Sequence, residues 1–147
     1  MVYYFAYGSN LSEKQIRKRC PDSRLIEKAV LKRYRFDFRA YSESWKCCVA
    51  DIVQDEKKEV WGLIYEVNDN NLRNLYTHEG HPTFYKRVKV KVINEQGEGK
   101  EVFVYEVVHK KPFIKPSKKY INIIKDAAKQ HKFPEDYIKY LEDIETI

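Results

Sequence analysis

Between residues 34 and 40 apolar and charged side chains alternate without a break. Tyr34, Phe36 and Phe38 fall on one side, and Arg35, Asp37 and Arg39 on the other. A period of two is a strand with one face in a core and one in water. A helix would scatter both sets around its axis, so it is excluded here. Strands are likewise expected at Val2–Tyr7, Ser23–Leu31, Cys48–Val53, Val60–Val67, Tyr85–Ile93 and Lys100–Val108. Two hairpins are expected, one around the polar turn Asp55–Lys58 and one around Asn94–Gly99. Tyr41–Lys46, which carries Trp45, reads as a polar loop. Helices are few: Ser12–Arg19, stopped at Pro21; a short one capped by Asn68 and running to about Leu75; Ser117–Gln130; and a last one starting near Pro134. The order is α+β rather than alternating βαβ, in 147 residues that fit one domain, and a curved or closed sheet suits so many strands. A barrel with an open mouth also supplies a cavity.

The N-terminal run Tyr3-Tyr4-Phe5-Ala6-Tyr7-Gly8-Ser9-Asn10-Leu11 takes a strand through a small-residue turn directly into a helix. Ser12 with Gln15 forms a capping box, and Glu13 suits the positive end of the helix dipole. Gly8, without a Cβ, lets backbone approach a ligand, and the N–H groups of such a turn can hold a carboxylate or an oxyanion. An ordinary strand-to-helix turn has the same pattern, so the turn alone does not decide for a ligand.

Twelve tyrosines favour strands and a cavity wall that offers both ring faces and hydroxyls. The net charge of +6 permits anionic partners, and basic residues crowd Lys110–Lys132. No nucleic-acid recognition motif accompanies them, so a solvated surface is the expectation there. Cys20, Cys47 and Cys48 are odd in number and lack a CxxC spacing, which argues against a disulfide framework and for a reducing compartment. Cys47 and Cys48 are expected as buried apolar thiols rather than a redox or nucleophilic pair. With no leader pattern and no long apolar run, a soluble, cytoplasmic protein is expected.

A second informative segment is Leu75-Tyr76-Thr77-His78-Glu79-Gly80, followed by Tyr85. Glu79 falls between a short helix and a strand, in a loop fixed by Gly80 and Pro82. His78 and His81 flank it but are three apart with Gly80 between, whereas a zinc-protease pair sits four apart on a helix, so no metal is expected. Together with the Phe5–Leu11 run, Val60-Trp61-Gly62, Pro116–Tyr120, Ala128-Lys129 and Phe133-Pro134, these pieces give nearly the whole chain a likeness. It resembles the γ-glutamylcyclotransferase family of the AIG2-like superfamily.

The resemblance implies a small mixed, mostly antiparallel β-barrel flanked by helices, one domain over residues 1–147, with the active site in the barrel's cavity. The implied reaction is intramolecular. The α-amine of a γ-glutamyl group attacks its own γ-carbonyl, releasing 5-oxoproline and a free amine or amino acid. By the same resemblance Glu79 is the catalytic acid/base, Tyr7, Gly8, Ser9, Asn10 and Leu11 bind the glutamyl end, and Tyr85 and Tyr120 line the cavity. No cofactor or metal is implied. The partner is a small γ-glutamyl substrate, not nucleic acid or membrane, and the protein is expected to be a monomer or homodimer. Relatives often carry an acid where Tyr76 stands and glycines at Cys47 and Cys48, which bears on the substrate more than on the reaction. A non-catalytic module that keeps the cavity and uses Lys110–Lys132 to engage an acidic partner or nucleic acid is the competing class.

Overall fold

A computed structural model describes residues 2–42, 47–79 and 84–147, with the side chains of Cys47, Tyr76, His78 and Glu79 left aside. Five strands close into a barrel: β1 (Val2–Ala6), β2 (Arg24–Ser42), β3 (Cys47–Val67), β4 (Tyr85–Asn94) and β5 (Gly99–Val107), in the spatial order β1-β3-β2-β4-β5. All neighbours are antiparallel except β1 and β5, which meet in parallel at Tyr4 and Phe103 and so close the ring. The closing contacts are short: β2 and β4 pair at Ala29–Asn94 and Val30–Ile93 and, among the described residues, β1 and β5 at Tyr4–Phe103 alone. The helices are α1 (Glu13–Arg19), α2 (Asp69–Glu79), α3 (Lys118–Gln130) and α4 (Glu135–Glu142). Among the described residues no helix is long and apolar enough to cross a membrane.

The central ladder differs from the expectation of four separate strands. Residues 24–42 form one strand, and residues 47–67 form a second that pairs with it along its length. Residues 55–58 are therefore not a hairpin turn. They are a wide bulge, bracketed by the pairs Lys32–Glu59 and Tyr34–Gln54. Arg33 opposite them takes φ 68°, the left-handed conformation that lets β2 bend and resume. Tyr41 and Ser42 belong to β2 rather than to a loop, whereas Trp45 lies outside the described residues.

Phe36 and Phe38 are buried as the alternation requires, and they pack edge-to-face with ring centroids 5.2 Å apart. The core also takes Phe5, Ile52, Leu63, Ile64 and Val104. One face of α3, carrying Tyr120, Ile121, Ile124, Ala127 and Ala128, closes over it. Gly62 lies where β3 meets β1: a Cβ there would fall 2.4 Å from the Ala6 carbonyl oxygen and 2.6 Å from the Phe5 ring. Trp61 beside it faces outward, its ring 6.1 Å from Phe133 and its indole N–H bonded to Glu59. Cys48 is buried as expected, and Cys20 is buried too; the side chain of Cys47 lies outside the described set.

The Asn94–Gly99 hairpin forms as its residues dictate. Asn94 Oδ1 accepts from the Gln96 and Glu98 amides, and Gly97 takes φ 82°. His131 closes α3. Its Nε2 is buried with no hydrogen-bond partner among the described residues, and burial pushes its pKa below the ordinary 6.5. Unfolding restores the ordinary value, so between the two pKa values the unfolded chain holds more protons. Stability should therefore fall as pH drops below about 6.5 and hold steady above it. Thermal melts at pH 7.5 and 5.5 test this, and His131→Gln should reduce the difference between them.

Candidate functional site

The strand β1 ends at Ala6, and the chain turns at once through the short 3₁₀ segment Ser9–Leu11 into α1. Leu11 N–H bonds to the Gly8 carbonyl and Ser12 N–H to that of Ser9, each 3.0 Å long. The N–H groups of Ser9 and Asn10 precede these closures and are not used by the turn's own ladder. Ser12 caps α1 by accepting from the Gln15 amide.

The expected capping box is only half present. The Gln15 side chain does not return to Ser12; its Nε2 bonds to Ser9 Oγ and to Asn10 Oδ1. Asn10 Oδ1 also accepts from Arg19 at 2.9 Å, and Asn10 Nδ2 donates to the Tyr4 hydroxyl at 2.9 Å. The side chains of Ser9 and Asn10 thus brace the turn against α1, and Leu11 is fully buried in the core.

Gly8, Tyr85 and Tyr120 come together although 112 positions separate the first from the last. The meeting point is Ala50 of β3. Its amide donates to the Tyr120 hydroxyl at 3.1 Å, and its carbonyl accepts from the Tyr85 hydroxyl at 2.8 Å. Gly8 presses against the same residue, since a Cβ on it would lie 3.1 Å from the Ala50 Cβ and 3.6 Å from the Tyr120 hydroxyl. Absence of a side chain is what lets the turn seat there. Tyr7 donates to the Tyr105 carbonyl of β5 at 2.6 Å, and the Tyr85 and Tyr105 rings stand 6.5 Å apart, edge to face. Each of these positions has a local cause. Ser117 caps α3 through the Tyr120 amide and so fixes the first turn that carries Tyr120, while Tyr85 opens β4 opposite Val107.

Glu79 is the last residue of α2, not a loop residue. Nothing between Leu75 and Glu79 breaks a helix, and Thr77 bonds back to the Arg73 carbonyl, so α2 runs on to the residue before Gly80. Gly80, His81 and Pro82 lie outside the described residues, as do the side chains of His78 and Glu79. Six positions separate Glu79 from Tyr85, so their Cα atoms are covalently held within roughly 22 Å. Among the described residues no group of three His, Cys, Asp or Glu side chains could hold a metal ion.

Two residues that the sequence reading passed over sit beside Ala50. Asp51 is fully buried, and its Oδ1 accepts from the Val107 amide at 2.9 Å. Its Oδ2 lies 2.7 Å from Lys110 Nζ. Burial pushes the Asp51 carboxyl up, against the opposing pull of Lys110 and the Val107 amide. A lone acid in the apolar run Val49-Ala50-Asp51-Ile52-Val53 is a visible anomaly in the sequence; its partner, 59 positions on, is not. A pocket of about 360 Å³ lies elsewhere, lined by Arg35, Lys57, Lys58, Trp61 and Tyr140 among others, and by none of the candidate residues.

Comparison with known proteins agrees with this architecture. Residues 59–141 match the model of the AIG2-like family. The chain is 34% identical to human gamma-glutamylcyclotransferase and 32% identical to the bovine protein of that name; each match takes in 97% of this chain and 78% of the relative. A solved gamma-glutamyl cyclotransferase superposes with a TM-score of 0.93 at 31% identity, over 99% of this chain and 89% of that one. YkqA from Bacillus subtilis, at 24% identity and a TM-score of 0.81, shares the fold over 56% of its own length.

Proposed function

The chain belongs to the AIG2-like, γ-glutamylcyclotransferase family and is an enzyme of that activity, and we propose that Glu79 serves as its acid/base while the Gly8 turn and the tyrosines around Ala50 hold the γ-glutamyl group. The observation that carries the site assignment is the convergence of Gly8, Tyr85 and Tyr120 on one residue of β3.

The reaction joins two ends of one molecule. The α-nitrogen attacks the γ-carbonyl carbon, a five-membered lactam closes, and the bond from that carbon to the leaving nitrogen breaks. Nucleophile and electrophile arrive already linked, so the enzyme needs no covalent nucleophile of its own. Its first task is to fold the glutamyl chain into a near-attack conformer. Its second is to take a proton from the α-ammonium and return one to the departing nitrogen, which a single carboxylate can do in sequence. Glu79 is the last residue of α2 and is the carboxylate assigned to both transfers. Backbone N–H groups of the Ser9–Asn10 turn are suited to the substrate carboxylate or to the oxyanion that develops on the γ-carbonyl.

In this reading the leaving group is a free amino acid or amine, no cofactor takes part, and one domain spans residues 1–147. The protein works in the cytoplasm as a monomer or homodimer. The competing use of Lys110–Lys132 as a surface for acidic partners is weakened because Lys110 is spent on Asp51. Lys115 and Lys129 likewise pair with Glu145 and Glu142. The purified protein should release 5-oxoproline from γ-glutamyl-alanine or another member of a γ-glutamyl panel. Chromatographic detection of that product checks it, and silence across the whole panel would remove the reading.

A further inference from the structure

We infer that Asp51 and Lys110 form a clasp that positions the walls of the site, joining the β3 segment that holds Tyr85 and Tyr120 to the end of β5. The inference rests on the cyclotransferase reading for its kinetic part only.

The geometry is complete on both sides of the pair. Lys110 Nζ has three acceptors, Asp51 Oδ2 at 2.7 Å and the carbonyls of Ile52 at 3.0 Å and Val107 at 3.2 Å. Three acceptors match the three protons of an ammonium. The carboxylate spends its other oxygen on the Val107 amide. Strands β3 and β5 are not neighbours in the barrel, because β1 stands between them. But β1 stops at Ala6, and beyond that point the gap between β3 and β5 is bridged by side chains. Asp51 and Lys110 are the charged part of that bridge.

Their place in the chain gives the clasp its effect. Asp51 directly follows Ala50, whose amide and carbonyl hold the two tyrosines. Val107 lies two residues after Tyr105, whose carbonyl takes the Tyr7 hydroxyl. Lys110 opens the segment that leads to α3 and Tyr120. The ion pair therefore ties the β3 segment whose Ala50 holds Tyr85 and Tyr120 to the end of β5, whose Tyr105 carbonyl takes the Tyr7 hydroxyl. A buried pair of this kind is seldom a large net source of stability, since desolvation offsets much of the attraction, but removing one partner alone leaves the other charge unpaired and is itself destabilising. A displacement of about 1 Å at a reacting centre can cost up to roughly 10²-fold in rate.

The test uses Asp51→Asn, Asp51→Ala, Lys110→Met and the Asp51→Ala/Lys110→Met pair in the full chain. Asparagine keeps an acceptor for the Val107 amide but loses the charge and turns an amide donor, in place of Oδ2, toward the Lys110 ammonium. With γ-glutamyl-alanine as substrate, well below the melting temperature, kcat should fall about 10-fold for asparagine and further for alanine, with KM changed less than about two-fold. The double variant should be no worse than Asp51→Ala, because both changes open the same clasp. Hydrogen exchange gives a readout independent of turnover. The Ala50 amide should exchange at least about 10-fold faster in the variants, while the Ile64 and Val104 amides keep their protection. If Asp51→Ala does not fold, Asp51→Asn and Lys110→Met decide. Variants that melt lower but retain wild-type kcat and Ala50 protection overturn the clasp. A wild-type protein inactive on every γ-glutamyl donor defeats the cyclotransferase reading instead, and Ala50 exchange alone then judges the clasp.

Discussion

Glu79→Gln is expected to lower kcat for 5-oxoproline release by about 10³-fold or more, with the fold unchanged. The α-amine of a γ-glutamyl donor is an ammonium at neutral pH and has no lone pair with which to attack. Glutamine has nearly the shape of glutamate but cannot accept that proton or pass it on. General acid–base groups contribute on the order of 10² to 10⁴ in rate, and here one residue is assigned both transfers. The loss should appear in kcat more than in KM, because the proposed site assigns the grip on the substrate chiefly to the turn and the tyrosines. Position 79 ends α2, where an amide is at least as comfortable as an acid next to the helix's negative pole, so the melting temperature should hold. Kinetics with a matched thermal melt separate these effects. A glutamine variant with full turnover would take Glu79 out of the mechanism and shift attention to another base.

Where the sequence was legible, the cause of the structure was local. Ser12 and Ser117 each cap the helix that follows, through an amide three residues on. Asn94 and Gly97 shape their own turn. The alternation at Tyr34–Ala40 placed Phe36 and Phe38 inside. The Asp55–Lys58 stretch misled because a polar turn and a polar bulge use the same residues. Only the partner strand distinguishes them, and β2 runs straight past with Arg33 in a left-handed kink. Helix α2 runs past Leu75 because no residue from Tyr76 to Glu79 breaks a helix. For the site, Tyr7, Tyr85 and Tyr120 were singled out by likeness to a family. Nothing in their own neighbourhoods announces that Tyr85 and Tyr120 meet at Ala50 or that Tyr7 reaches the Tyr105 carbonyl, since those contacts depend on barrel closure. Ser9 and Asn10 carry side chains that look aimed at a ligand and are instead held by Gln15 and Arg19.

Gly62→Ala is the substitution expected to harm the fold most. The φ of Gly62 is not what demands glycine; the space around it does. The added methyl would lie 2.4 Å from the Ala6 carbonyl oxygen and 2.6 and 2.8 Å from two atoms of the Phe5 ring. The ring is fully buried and the carbonyl is backbone at the seam between β1 and β3, so neither can yield without moving the strand. Overpacking a core typically costs 1–3 kcal/mol where side chains can shift, so about 3 kcal/mol or more is expected here. For a chain of this size that corresponds to a melting temperature lower by roughly 10 °C. The strand that must move is the one that leads into the Gly8 turn, so residual activity at low temperature should fall as well. Gly97→Ala is the control. That glycine has φ 82° but nothing within 4 Å of its missing Cβ, so only the conformational cost of about 1 kcal/mol applies. Thermal melts of the two variants side by side check the ordering, and a Gly62→Ala protein as stable as Gly97→Ala would mean that β1 is not packed against β3 as closely as these distances require.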